Sequence, residues 1–177
     1  LTGGEAGLNI GRDNYPTSAG KAPPKNSILI GQNNTTGVGG IAIGHSSAAG
    51  KTAVSMGSGV AASGTTSTAI GIGSKSSANN SVAIGINTDA TGKSAISYGV
   101  SNRASGNNST VFGKDNVGSG NGSVTFGVSN TTGKASKVFG SDNTSIAESH
   151  VFGSVNLGAS KNAKIYGDAN ETVNNAA

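Results

Sequence analysis

Glycine returns at a nearly fixed interval, each time directly behind a large apolar residue, and this period constrains the fold more than any other feature of the chain. The glycines are Gly11, Gly31, Gly44, Gly57, Gly71, Gly85, Gly99, Gly113, Gly127, Gly140, Gly153 and Gly167, in steps of 20, 13, 13, 14, 14, 14, 14, 14, 13, 13 and 14. The residues before them are Ile10, Ile30, Ile43, Met56, Ile70, Ile84, Tyr98, Phe112, Phe126, Phe139, Phe152 and Tyr166. Six of the seven aromatic residues and the single methionine stand in this slot. Each copy of the slot must therefore meet the same apolar surroundings, and we expect these residues to form a core ladder. A constant short period marks a stacked repeat. About 14 residues are too few for a helical hairpin. At ~3.3 Å per strand residue they make one flattened coil of two short strands and two tight corners.

Composition agrees with a repeat fold and not with an ordinary globular core. Hydrophobic residues are 33%, charged residues 11%, and 30 residues are glycine. Few apolar residues usually mean disorder, but disordered chains also carry high net charge. Here the formal charge is only +4. Of a low-complexity linker and a repeat array, the periodicity selects the array.

Ser81-Val82-Ala83-Ile84-Gly85 typifies the first strand of a coil. Val82 and Ile84 share one face and Ala83 takes the other. The second strand is small and polar, as in Ser46-Ser47-Ala48-Ala49-Gly50. Its glycines (Gly50, Gly64, Gly92, Gly106, Gly120, Gly133) suit the opposite corner, where a positive φ or a close backbone approach is required. The fold class is thus all-β, a parallel β-solenoid of about 12 coils. Stacked at ~4.8 Å they give a rod of roughly 50–55 Å.

So narrow a coil buries little apolar area against an ordering cost of roughly 1–2 kcal/mol per residue. A second face is therefore expected to be covered by other chains. In the second half the residue two before the glycine becomes apolar, as Val111, Val138, Val151 and Ile165. Beside the aromatic slot these make strands apolar on both faces, which is how a doubly buried strand reads. With the aromatic slot assigned to the coil interior, these four are the candidate subunit-interface residues. Lys137, His150 and Lys164 stand three before their glycines and mark a strand end that reaches solvent.

These repeats resemble the head of the YadA-type trimeric autotransporter adhesins, whose core has the form S-V-A-I-G-x-x-S-x-A-x-G. Ser81-Val82-Ala83-Ile84-Gly85 matches it as written. Ser27-Ile28-Leu29-Ile30-Gly31 and Ala95-Ile96-Ser97-Tyr98-Gly99 are close variants, and Ala90, Gly92, Ala104 and Gly106 match the downstream part. The resemblance covers roughly residues 7–169, with an aromatic second half that departs from the aliphatic motif. It implies a left-handed parallel β-roll and an obligate side-by-side homotrimer on a bacterial cell surface, adhering to host cells or extracellular matrix. Partners would be matrix proteins or host receptors such as immunoglobulin-like adhesion molecules. Outer-membrane anchoring would come only through C-terminal regions absent from this sequence. On this reading residues 1–26 hold the first coil and a capping or insertion loop. Residues 27–169 are the head repeats, and residues 170–177 exit toward a neck or stalk.

No catalytic constellation, cofactor motif or metal signature is present, and no enzyme is expected. Cysteine is absent, so there is neither disulfide nor thiolate ligand. The glycine pattern lacks the G-x-x-x-x-G-K-[ST] phosphate loop. The basic excess, 12 against 8, is scattered rather than interleaved with aromatics, which argues against nucleic acid. No apolar run approaches the ~18 residues of a membrane span.

The long step between Gly11 and Gly31 contains Tyr15 and all three prolines. It is read as a cap against edge pairing or as an exposed receptor loop. An asparagine column three after the glycine (Asn102, Asn116, Asn130, Asn143, Asn156, Asn170, with Asn14 and Asn34 earlier) reads as a left-handed corner with stacked amides, or as a polar ladder on which a ligand or glycan docks. Lys51, Lys93, Lys134 and Lys161 fall along one edge, a solvated border or a basic stripe. A threefold axis would gather three copies of His150, although an exposed strand-start histidine is the simpler reading. Candidate receptor contacts are Tyr15, Lys21 and Lys25 in the insertion, and Arg103, Lys114, Asp115 and Lys134 at corners of the aromatic half. The principal expectation is an adhesin head. The alternative is a rigid structural spacer that holds a separate binding module away from the cell.

Overall fold

The computed structural model describes residues 7–16, 24–158 and 161–172, with the backbone alone of Tyr15 and Pro16. Residues 1–6, residues 17–23 of the insertion with Lys21 among them, and the end of the exit segment lie outside the described residues. Among those described there is no helix. All strands belong to two parallel sheets, each of twelve strands in sequence order, with every coil giving one strand to each sheet. The fold is a parallel β-solenoid.

The first sheet runs from Leu8–Arg12 to Lys164–Tyr166 and the second from Tyr15–Pro16 to Glu171–Thr172. Register is strict. Val82–Ile86 pairs with Thr68–Ile72 on one side and Ile96–Val100 on the other, so that Gly71, Gly85 and Gly99 stand in line. A slip of one residue would exchange the two faces of the strand. The glycine column enforces the register sterically. Gly85 has φ +137°, and a Cβ there would overlap the carbonyl of Gly99 in the next coil.

Two corners close each coil. One has a left-handed residue two after the glycine, as at Asn87, Ser101 and Asp115. The other has one five before it, as at Asn80, Ser94 and Asn108. The second-strand glycines do not take positive φ. They serve the close approach instead, since a Cβ on Gly92 or Gly106 would strike the backbone of the following coil.

The interior is narrow and lined with small side chains. Ala83, Ala90, Ala95, Ala104 and Val111 form one buried cluster, and Val138, Val151 and Ile165 another. Between them Thr125 donates to Thr132 at 2.8 Å. Large and small residues alternate across the coil: Val111 faces Gly118, and Val151 faces Gly158.

This interior reverses the expected faces of the first strand. Val111, Val138 and Val151 are fully buried and Ile165 is 4% exposed, so they fill the coil and are not interface residues. The slot before the glycine is on the outside, with Ile10 at 53%, Met56 at 37%, Tyr98 at 50% and Tyr166 at 68% exposure. Ile30, Ile43, Ile70, Ile84, Phe112, Phe126, Phe139 and Phe152 are half-buried on that same outer face. The physical reason is size. Two sheets joined by such tight corners leave no room for a phenyl ring: the largest inward side chains are aliphatic, and a Cβ at Gly118 would already lie 2.6 Å from Val111 Cγ2. The column itself is real, but it stands on the wall.

Candidate interaction surface

The outer face of the first sheet is built by strand alternation. Within each strand the first, third and fifth residues point outward and the second inward. The third position carries the ladder. Tyr98, Phe112, Phe126, Phe139, Phe152 and Tyr166 stack with ring centroids 5.5, 4.9, 5.1, 5.0 and 5.3 Å apart. Four of the five steps are within 5° of parallel. The pleat repeats at ~4.8 Å, so identical residues in register stack face on. The fifth position adds Ile72, Ile86, Val100 and Val128, which are 58%, 45%, 37% and 44% exposed. Together with the ladder they make a largely apolar face of a kind that marks an interaction surface, interrupted in the fifth column by Lys114 between Val100 and Val128.

The asparagine column lies inside the first corner, and the structure changes its role. The left-handed residue precedes each asparagine, as Ser101 precedes Asn102 and Asp115 precedes Asn116. Asn102, Asn116, Asn130, Asn143 and Asn156 are buried instead, with Asn170 exposed at the end of the column, and their amides staple coil to coil. Asn116 Nδ2 donates to the carbonyl of Gly127 in the next coil at 2.7 Å and to that of Phe112 in its own at 3.1 Å. Its Oδ1 accepts from the N–H of Asn130 at 3.0 Å and from Asn130 Nδ2 at 3.0 Å. The same pattern continues through Asn143 and Asn156 to Asn170. The expectation of stacked amides was sound. Spacing alone did not reveal that they face inward.

The receptor-contact candidates do not form one cluster. Lys114 and Asp115 meet at 3.7 Å, but both are exposed, and such pairs contribute about 0–1 kcal/mol. Arg103 is on the other sheet, in register between Asp89 and Val117. Lys134 ends Thr131–Lys134, beside the opposite corner. Lys25 is exposed at a turn whose carbonyl accepts from Gly39 N–H. Lys51, Lys93, Lys134 and Lys161 all stand exposed at that corner column, and Lys161 pairs with Glu148 at 3.3 Å.

Lys137, His150 and Lys164 were read as a solvent-reaching strand end, and they are exposed or half-exposed in successive register. A lysine on each side makes His150 a poor cation ligand. Among the described residues no group of three or more His, Cys, Asp or Glu is placed to hold a metal. Asp168, in the bend two residues after the strand Lys164–Tyr166, accepts from Ser154 N–H at 2.9 Å and Ser154 Oγ at 2.7 Å. These two bonds hold its carboxyl below the usual value.

No curated protein matches the chain. The YadA head domain repeat matches it twice, over residues 62–88 and 90–116. Those spans hold Thr68–Ile72, Val82–Ile86, Ile96–Val100 and Thr110–Lys114, all with unbroken pairing to the coils above and below. Residues 62–116 are YadA-type head repeats.

Proposed function

We propose that this chain is the head of a trimeric autotransporter adhesin, displayed on a bacterial cell surface and attaching to host cells or extracellular matrix through its lateral walls. The observation that carries this reading is the outer face of the first sheet. Its aromatic ladder and the apolar column beside it leave side chains such as Tyr98, Ile72 and Tyr166 half or more exposed in a lone chain. Three such faces turned toward a common axis bury one another. The second sheet and the corner columns then remain outward, where Arg103, Asp115 and Lys134 are available to a partner, while Lys114 ends a first-sheet strand at the edge of the covered face. Matrix proteins and immunoglobulin-like receptors suit a flat repetitive wall, because many weak contacts are multiplied by effective concentration when three chains act together.

One test has two readouts. Light scattering of the purified chain is expected to give three times 17.0 kDa, and a stable folded monomer refutes the buried face. The trimer is then applied to host cells and to immobilised matrix proteins. Saturable binding supports the adhesin. Its absence across both favours a rigid spacer, a reading helped by the scattered receptor-contact candidates and by the coil-to-coil amide staples.

A further inference from the structure

The outer face of the first sheet has two edges, and in several coils their chemistry is matched although they cannot touch within one chain. A strand begins three residues before its glycine and ends one after it, so its two ends are ~13 Å apart. Val82 and Ile86, Ile96 and Val100, and Val124 and Val128 are apolar at both ends. The last coil has Lys164 at one end and Asp168 four residues on. It is the one described coil with a charge at both positions; Leu8 and Arg12, Thr110 and Lys114, and Lys137 and Ser141 are unmatched within their own coils.

The starting edge also gathers basic residues without an acid among them. Lys137, His150 and Lys164 are direct neighbours in register. Among the described residues none of the three has a carboxylate within ion-pair distance; the ion pairs are those of Lys114 and Lys161. The missing carboxylates are at the other edge. Asp142 lies two after Gly140 and Asp168 one after Gly167, both exposed.

Cyclic symmetry brings these edges together. Around an axis parallel to the solenoid, strands of successive copies run head to tail, with no shift along the axis. The end of each strand then abuts the start of the equivalent strand in the next copy. On the trimeric reading proposed above, we infer that the subunits are zipped edge to edge, with Lys164 pairing with Asp168 of the partner subunit, Lys137 with Asp142 of the partner subunit, and His150 between them. The apolar ends at Val82, Ile96 and Val124 close the same seam in the middle of the rod. This seam fixes which copy lies on which side and at what height. A smooth aromatic column, alike at every level, does not.

Charge exchange tests the seam. Lys164→Glu and Asp168→Lys, each alone, place like charges together at three seams and are expected to lower the trimer association constant roughly tenfold or more. The double variant restores the pairing and is expected to return to within about threefold of the parent. Sedimentation in a fixed concentration of guanidinium reads the association. Carbodiimide treatment of trimers assembled from light and heavy-nitrogen chains is expected to give a Lys164–Asp168 amide linking one light and one heavy peptide. A parent chain that is monomeric throughout overturns the trimeric reading itself. A trimeric parent whose double variant shows the summed losses, or whose cross-link joins only peptides of one isotope, overturns the edge pairing and leaves the trimer standing.

Discussion

Replacing Asn116 by alanine is the sharpest test of what holds successive coils together. The side chain is fully buried and satisfies partners on both sides. Removing it leaves the N–H of Asn130 without its acceptor and the carbonyl of Gly127 without its amide donor. Each buried group left unpaired costs about 1–3 kcal/mol, so Asn116→Ala is expected to destabilise each chain by about 2–5 kcal/mol. Asn116→Ser should cost about half as much. Serines already occupy this column in other coils, where Ser47 and Ser74 each donate to the following glycine carbonyl at 2.8 Å. A serine restores that bond but leaves the next N–H unmet. Asn107→Ala is the control. Asn107 also accepts a backbone bond, from Lys93 N–H at 3.0 Å, but it is exposed and water replaces it. Its cost should stay within about 0.5 kcal/mol. Far-UV circular dichroism in guanidinium, at one fixed chain concentration because assembly is linked to unfolding, gives the three values. Equal midpoints for Asn116→Ala and Asn107→Ala would show that the buried amides are not what ties coil to coil.

Gly118→Ala places a methyl 2.6 Å from Val111 Cγ2 and 3.1 Å from Ser123 Oγ, so it is expected to cost about 1–3 kcal/mol by overpacking. Val111→Ala in the same chain should recover most of that loss in a guanidinium titration. Deleting residues 86–99 removes one whole period and should keep the fold, whereas deleting 86–92 turns the wrong face inward. Circular dichroism and sedimentation of the two deletions distinguish them. The Asp168 carboxyl is held low by Ser154, so its contribution is present above the ordinary carboxylate value and is lost as pH falls through the lowered one. An acid titration of thermal midpoints should therefore be shallower in Asp168→Asn than in the parent.

Much of this architecture was legible in the chain because a period is a one-dimensional signal. The glycines behind Ile84, Tyr98 and Phe112 announced coil length, strand position and stacking, and the ring-on-ring column follows directly from strict repetition. Which side of the strand that column occupies was not legible. Val111 and Phe112 are both apolar, and alternation divides them between two faces without saying which face is enclosed. Only the closed cross-section decided it: corners at Asp115 and Asn108 bring the sheets so close that Val111 needs Gly118 opposite, and the rings are left outside. The inward turn of Asn116 is likewise a fact of three dimensions: its amide joins residues of different coils, and no spacing along a single chain records such distances.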